Sequence, residues 1–193
     1  MAQPNIEAII FDCFGVLQVD STHAFYEESV DDYERLKPQL LDINRQRDYG
    51  FISQTEFVQA VASLSQLDAD FVEANITAKM TRNQPLIDYL DQLKANYKLG
   101  MISNIGPGSM ERYFAREELD QMFDTVVLSG EETIAKPHPR IYQIAAERLG
   151  VPVGACVMID DAEDNCAGAD AAGMKSIHYQ TFKQMRRELS RLI

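Results

Sequence analysis

A chain of 193 residues, 46% hydrophobic and 25% charged, has the balance of a globular protein with a substantial core, so one domain with a modest insertion is expected. A formal charge of -12 argues against binding nucleic acid or an anionic membrane, whose phosphates need cationic neutralisation; a metal ion and one or two lysines can still reverse the local field for a small phosphorylated substrate. No apolar run approaches a bilayer span, and Met1-Ala2-Gln3-Pro4-Asn5 lacks the basic flank and apolar block of a signal peptide. The three cysteines (Cys13, Cys156, Cys166) show no zinc-ligand spacing, which fits a reduced, cytoplasmic chain better than a disulfide scaffold.

The apolar run Ile6 to Phe11 reads as a buried strand. Asp12 follows it directly and Gly15 comes three residues later, where open α/β sheets put their chemistry. From Gln18 to Arg82 the periodicity is helical and no strand is predicted. Within that block Ser53-Gln54-Thr55-Glu56 is a capping box, so a helix should start near Gln54 with Phe57, Val58, Val61, Ala62 and Leu64 as its apolar face. Asn83 and Pro85 begin another helix, with Leu86, Leu90 and Leu93 facing a core.

From Tyr97 onward strands and helices alternate. Leu99 to Ile102 is a predicted strand, followed by a helix around Met110 to Phe114. Thr125 to Leu128 is β-branched, and Pro139 to Leu149 is helical. Val157 to Ile159 is a third apolar run. An alanine- and glycine-rich helix then ends near Gly173, and Lys175 to His178 is the last strand. Such alternation implies a parallel, doubly wound sheet. Residues 1–17 and 83–193 are therefore expected to form a Rossmann-like α/β core, and residues 18–82 a small all-helical cap above the strand ends.

Four polar positions fall just past predicted strands and should converge on one crevice: Asp12, Ser103, Lys136 and the pair Asp160-Asp161. A carboxylate such as Asp12 can attack a phosphoryl group, splitting hydrolysis into two displacements. Two anions repel, and a magnesium ion held by Asp12, Asp161 and a backbone carbonyl would offset that repulsion. Lys136 would offer a point charge and Ser103 a hydroxyl to the phosphoryl oxygens, while Asn165 could position a carboxylate or the lysine. Each feature also has a structural explanation. Asp12 could cap a turn, Ser103-Asn104 open a loop, Lys136 lie solvated before a helix, and Asp160-Asp161 cap one. Cys13, Cys166 and the scattered His23, His138 and His178 are assigned no catalytic role.

Together these residues resemble the haloacid dehalogenase-like hydrolase superfamily over nearly the whole chain. The likeness is carried by Phe11-Asp12-Cys13-Phe14-Gly15-Val16-Leu17, Met101-Ile102-Ser103-Asn104, Lys136-Pro137-His138-Pro139-Arg140-Ile141-Tyr142, and Ile159-Asp160-Asp161-Ala162-Glu163-Asp164-Asn165 continuing to Gly173-Met174. The short helical cap and the last motif look most like small phosphatases of the epoxide-hydrolase N-terminal-domain type. The resemblance implies Mg²⁺-dependent phosphoryl transfer to Asp12, with Ser103, Asn104 and Lys136 on the substrate side. Asp161 and the Phe14 backbone carbonyl would join Asp12 as metal ligands, with Asp160 in a nearer-solvent supporting role beside Asn165.

One departure stands out: phosphatases of this superfamily usually carry aspartate where Phe14 stands, as general acid and base. Dehalogenases of the same superfamily carry an aromatic residue there and use no metal. Three readings follow: a phosphatase-like hydrolase of small phosphorylated metabolites with reduced turnover, a metal-independent 2-haloacid dehalogenase, and a non-catalytic binder of phosphorylated ligands or partners.

Overall fold

The structure, a computed structural model, describes residues 5–19, 22–78 and 81–193, apart from the side chains of His23, Thr77 and Ala78. The expectations for Met1 to Pro4 and for the His23 side chain lie outside the described residues.

The first strand, β1 (Ala8–Phe11), is buried over its whole length. A two-residue strand β2 (Gln18–Val19) leads into four helices, α1 (Thr22–Ser29), α2 (Tyr33–Asp48), α3 (Gln54–Ser65) and α4 (Ala69–Ala78). The chain returns through β3 (Thr81–Arg82) to α5 (Gln84–Lys94) and β4 (Lys98–Ser103). A 3₁₀ turn, Met110–Arg112, precedes α6 (Arg116–Met122), β5 (Thr125–Leu128) and the short α7 (Ser129–Glu132), and a second, Val153–Ala155, comes later. The remainder is α8 (Pro139–Leu149), β6 (Cys156–Asp160), α9 (Glu163–Ala172), β7 (Lys175–His178) and α10 (Phe182–Leu189). The helix expected around Met110 to Phe114 is thus a 3₁₀ turn, and the α-helix begins later, at Arg116.

The main sheet runs in the order β5-β4-β1-β6-β7 with every pairing parallel, so β1 is central and the strand order reverses on either side of it. Alternation along β1 explains how both faces are filled. Ile9 and Phe11 join Leu86, Leu90 and Leu93 of α5 and Met185 and Leu189 of α10. Ala8 and Ile10 face the opposite layer, built from Ile141, Tyr142 and Ala145 of α8 and Ala169 and Ala172 of α9. Cys13 packs in the first layer, as the alternation argument expects.

Helices α1–α4 bury a third cluster of their own, centred on Phe25, Tyr26, Leu40, Phe57, Val61 and Val72. The capping box that starts α3 is complete: the Ser53 hydroxyl accepts from the Glu56 amide, and the Glu56 carboxylate accepts from the Ser53 amide. Between Gln18 and Arg82 the all-helical expectation misses one feature, since β2 and β3 pair antiparallel, Gln18 opposite Arg82 and Val19 opposite Thr81. A two-residue ladder has no period to read. It closes the base of the insertion, where Asn83 donates its amide nitrogens to the carbonyls of Leu17 and Val16 and to the Tyr179 hydroxyl. No helix among the described residues is long and apolar enough to cross a membrane.

Candidate active site

Asp12 sits immediately beyond the C-terminal end of the central strand, its amide donating to the Ile159 carbonyl at 2.9 Å and continuing the ladder with β6. A neighbouring strand lies on each side of it, so the end of β1 opens into the crevice that forms where strand order reverses. The Asp12 carboxylate accepts from the Cys13 amide at 2.7 Å. It is 6% exposed.

The side chain of Lys136 bridges two carboxylates, with Nζ 2.6 Å from Asp12 and 2.6 Å from Asp160. All three residues are buried. Lys136 does not lie just past a strand, as the spacing suggested; α7 and a loop separate it from β5. Its backbone is set by Asn104, whose Nδ2 donates to the Lys136 carbonyl at 2.9 Å and whose Oδ1 accepts from the Lys136 amide at 2.8 Å. Both ends of the Asn104 side chain thus help to orient the lysine, and Asn104 also lines the crevice. Gly168 of α9 allows this segment its position, because a Cβ there would overlap the Pro137 carbonyl.

Asp160 and Asp161 exchange their expected exposure. Asp160 is fully buried at the end of β6, whereas Asp161 is exposed. The reason is strand alternation followed by the turn into α9. Asp160 Oδ2 faces Lys136, and Oδ1 accepts from the Ala162 amide at 2.9 Å and from Asn165 Nδ2 at 3.0 Å. The Asn165 carbonyl in turn accepts from the Tyr142 hydroxyl at 2.7 Å. Asp160 is therefore an internal anchor for the lysine and the start of α9, not a solvent-side residue. His138 caps α8, its Nδ1 accepting from the Arg140 amide at 3.2 Å, so its place in the sequence serves that helix.

Burial pushes the Asp12 carboxyl well above the usual aspartate range; Lys136 pulls it down, while Asp160 and Asp161 push it further up. Burial alone would lower the Lys136 ammonium, but the two carboxylates in contact reverse this and hold it above its ordinary value. Oxygens of Asp12, Asp160 and Asp161 gather within 4.8 Å of one another. Three carboxylates against one ammonium leave two negative charges, and the donors are all oxygen, which suits a hard divalent cation. Gly15, at φ +93, leaves room for this arrangement, because a Cβ there would overlap the Asp161 carboxylate. At the end of β4 the Ser103 hydroxyl is buried without a hydrogen-bond partner, as expected of a group kept for a ligand oxygen. We expect Gly15→Ala to weaken the Mg²⁺-dependent rise in melting temperature, the half-maximal Mg²⁺ concentration increasing about 10-fold or more. An unchanged titration would mean that Asp161 takes no part in holding the cation.

The crevice has two lobes. The inner one, with about 170 Å³ of free space, is lined by Asp12, Lys136, Asp161, Ala162 and Asn165. The other, with about 20 Å³ of free space, is lined by Gln54, Ile105, Gly106, Ser109 and Tyr113, and Phe14, Arg47, Asp48 and Asn104 border both. Arg47 and Asp48, at the end of α2, come from the helical insertion. Sequence periodicity does not distinguish them from other charged helix residues. Only the packing of α2 over the sheet ends does.

A family profile for haloacid dehalogenase-like hydrolases matches residues 6–173. The chain is similar to a glyceraldehyde 3-phosphate phosphatase from Pyrococcus abyssi, 31% identical over 44% of this chain, and it spans only 36% of that relative's length. A pyrimidine 5'-nucleotidase, YjjG, from Escherichia coli is 29% identical, over 85% of this chain and 77% of the relative. Among solved structures, the HAD-family enzyme BT-2542 from Bacteroides thetaiotaomicron superposes with a TM-score of 0.74 at 20% identity, covering 96% of this chain and 99% of that one. With four ordered motifs gathered at one end of a doubly wound sheet, and a profile that covers most of the chain, the protein belongs to the haloacid dehalogenase-like hydrolases.

Proposed function

We propose that the protein is a Mg²⁺-dependent phosphatase of small phosphorylated metabolites, with Asp12 as nucleophile and residues 18–82 acting as a cap over the crevice. The observation that carries this reading is the site's charge pattern: a buried carboxylate at the central strand end, held by Lys136, beside an exposed Asp161 and an unpartnered Ser103 hydroxyl. In the first step an Asp12 oxygen bonds to phosphorus as the bond from phosphorus to the leaving oxygen breaks. Lys136 and Ser103 steady the phosphoryl oxygens. The leaving oxygen takes its proton from solvent, because Phe14 carries none. Water then attacks the phosphorus of the aspartyl phosphate, giving inorganic phosphate, a proton and the restored carboxylate. Asp12, Asp161 and the Phe14 backbone carbonyl would hold the Mg²⁺, with Asp160 and Asn165 supporting, and the bound ion would supply positive charge against the phosphoryl oxygens. A solved structure of BT-2542 contains magnesium and inorganic phosphate, in keeping with this assignment.

The test is phosphate release across a panel of phosphomonoesters with Mg²⁺ and with EDTA. Release that requires Mg²⁺ supports the proposal, and metal-independent release overturns it. The Phe14 ring, edge-on to Tyr113 with centroids 4.9 Å apart, borders the crevice and favours a second reading, halide release from 2-haloacids without metal. The same EDTA arm separates the two. General acid–base assistance is worth about 10²–10⁴ in rate. Phe14→Asp should therefore raise turnover of alkyl phosphates more than that of nitrophenyl phosphate, whose leaving group needs little protonation. Equal gain on both would mean that proton delivery does not limit the rate.

A further inference from the structure

The charge of this chain is unevenly placed. Residues 175–193 hold five of its 18 lysines and arginines but one of its 30 acids, a net +4 in a chain of net -12, so the remaining residues carry -16. Four of those five cations, Lys183, Arg186, Arg187 and Arg191, lie on or just past α10, and all four are exposed. Elsewhere several arginines reach carboxylates: Arg82 pairs with Glu118, Arg112 with Glu73, Arg140 with Glu147 and Arg148 with Glu132. Among the described residues Lys183, Arg186 and Arg191 form no ion pair, and Arg187 reaches only its neighbour Glu188, at 3.9 Å.

Helix stability does not account for this row. Lys183 and Arg187 stand at i,i+4, as do Arg187 and Arg191, and like charges at that spacing repel. The helix dipole favours Arg186 and Arg187 in the last turn but disfavours Lys183 in the first. Beside the cations lies a groove with about 390 Å³ of free space, lined by Tyr89, Phe182, Lys183, Arg186, Arg187 and Ser190. Its two rings meet edge to face with centroids 5.7 Å apart, and the Arg186 guanidinium lies 4.8 Å from the Tyr89 ring and 5.6 Å from the Phe182 ring. Stacking occupies the face of a guanidinium and leaves its N–H edge for a carboxylate. A cation already held this way loses less freedom when a ligand arrives.

We propose that this groove docks a short acidic segment of a partner protein, with carboxylates on Lys183, Arg186 and Arg187 and an apolar side chain against Tyr89 and Phe182. Charge complementarity selects the occupant by its size. The eight residues of α10 span about 12 Å, and at physiological salt a charge is screened beyond about 8 Å. A compact acidic segment therefore meets the basic row and little else. A nucleic-acid duplex, an anionic membrane or a second copy of this chain extends past the row and faces the acid-rich remainder, which repels it. No residue of the groove borders the crevice, so docking and hydrolysis use different surfaces.

The experiment follows the fluorescence anisotropy of a labelled peptide, glutamates around a single leucine, added to the full chain; a peptide with glutamine in place of glutamate is the control. The acidic peptide should bind at about 0.05 M salt and about tenfold more weakly at about 0.5 M. Lys183→Gln combined with Arg187→Gln, both at exposed positions, should weaken binding by about tenfold or more, with no fall in melting temperature and no change in phosphate release. Absence of binding at low salt overturns the proposal, and so does equal affinity for the glutamine peptide or in the double variant. Tighter binding of duplex DNA or of phosphatidylserine vesicles than of the peptide also overturns it, as does self-association in sedimentation that the double variant abolishes. The salt titration and the glutamine control use the native chain, so they decide the matter even if the double variant does not fold.

Discussion

Asp12→Asn is expected to reduce phosphate release by roughly 10³–10⁶-fold, the scale seen when a catalytic nucleophile is removed. Little stability should be lost. Asparagine is nearly isosteric with aspartate and needs no desolvation of a charge, whereas burial already pushes the Asp12 carboxyl well up. The substitution also leaves Lys136 in contact with Asp160, so the buried cluster changes from one ammonium with two carboxylates to a matched pair. Thermal melts of the two proteins should therefore overlap closely while their phosphate release diverges. Retention of a substantial fraction of native turnover would remove Asp12 from the role of nucleophile. A collapse in melting temperature would instead make it a structural aspartate.

Lys136→Met should have the opposite balance, with activity and stability both falling. The methionine fills much of the lysine's volume, yet it leaves Asp12 and Asp160 buried without a countercharge. Removing one partner from a buried ion pair costs about 3–5 kcal/mol. In a domain of this size that corresponds to a fall of roughly 10 °C in melting temperature. The sign of the pH dependence follows from linkage. The carboxyl of Asp12 is already raised on folding, and loss of the ammonium raises it further. An acid raised on folding contributes fully below its unfolded pKa, and that contribution is lost as pH climbs through the folded value. The deficit of Lys136→Met should accordingly be small near pH 4 and grow toward pH 8. A deficit independent of pH would show that lost packing, not unbalanced charge, sets the cost. Tyr142→Phe gives a milder control: it removes only the hydroxyl bonded to the Asn165 carbonyl and leaves the ion cluster complete.

Phe14 acquires a second meaning beside these residues. By the family resemblance its ring stands where a proton-carrying aspartate is expected. In the structure the same ring is part of the apolar wall shared by both lobes, edge-on to Tyr113. Glu27, Glu28 and Asp31, acids of the insertion, lie on or just past α1 and are exposed, and none of them borders the crevice. Among the described residues of the insertion, the carboxylate that does border it is Asp48, hydrogen-bonded there by Arg47.

Much of the core was legible in the residues themselves. Thr125–Leu128, Pro139–Leu149 and Lys175–His178 coincide with predicted elements because β-branched runs, Pro at a first helical turn and Gly150 after a last one are local signals. The final helix, α10, has local signals too. Thr181 and Gln184 form a capping box, and Met185 and Leu189 are its buried i,i+4 pair. The two-residue ladder of Gln18–Val19 with Thr81–Arg82 is different, since its partners lie more than 60 residues apart and neither has a pattern of its own.

The sequence by itself determined the doubly wound core and the order of the polar residues at its strand ends, because hydrophobic period and turn chemistry are encoded within a few neighbouring residues. Only the tertiary structure decided which of two adjacent aspartates is buried against Lys136, that Asn104 bonds to the backbone of the lysine, and that Arg47 and Asp48 of α2 reach the crevice. Those choices depend on distances between segments far apart in the chain. The energies that settle them, desolvation of a carboxylate and pairing of a buried charge, exist only once the sheet and the insertion have closed around the site.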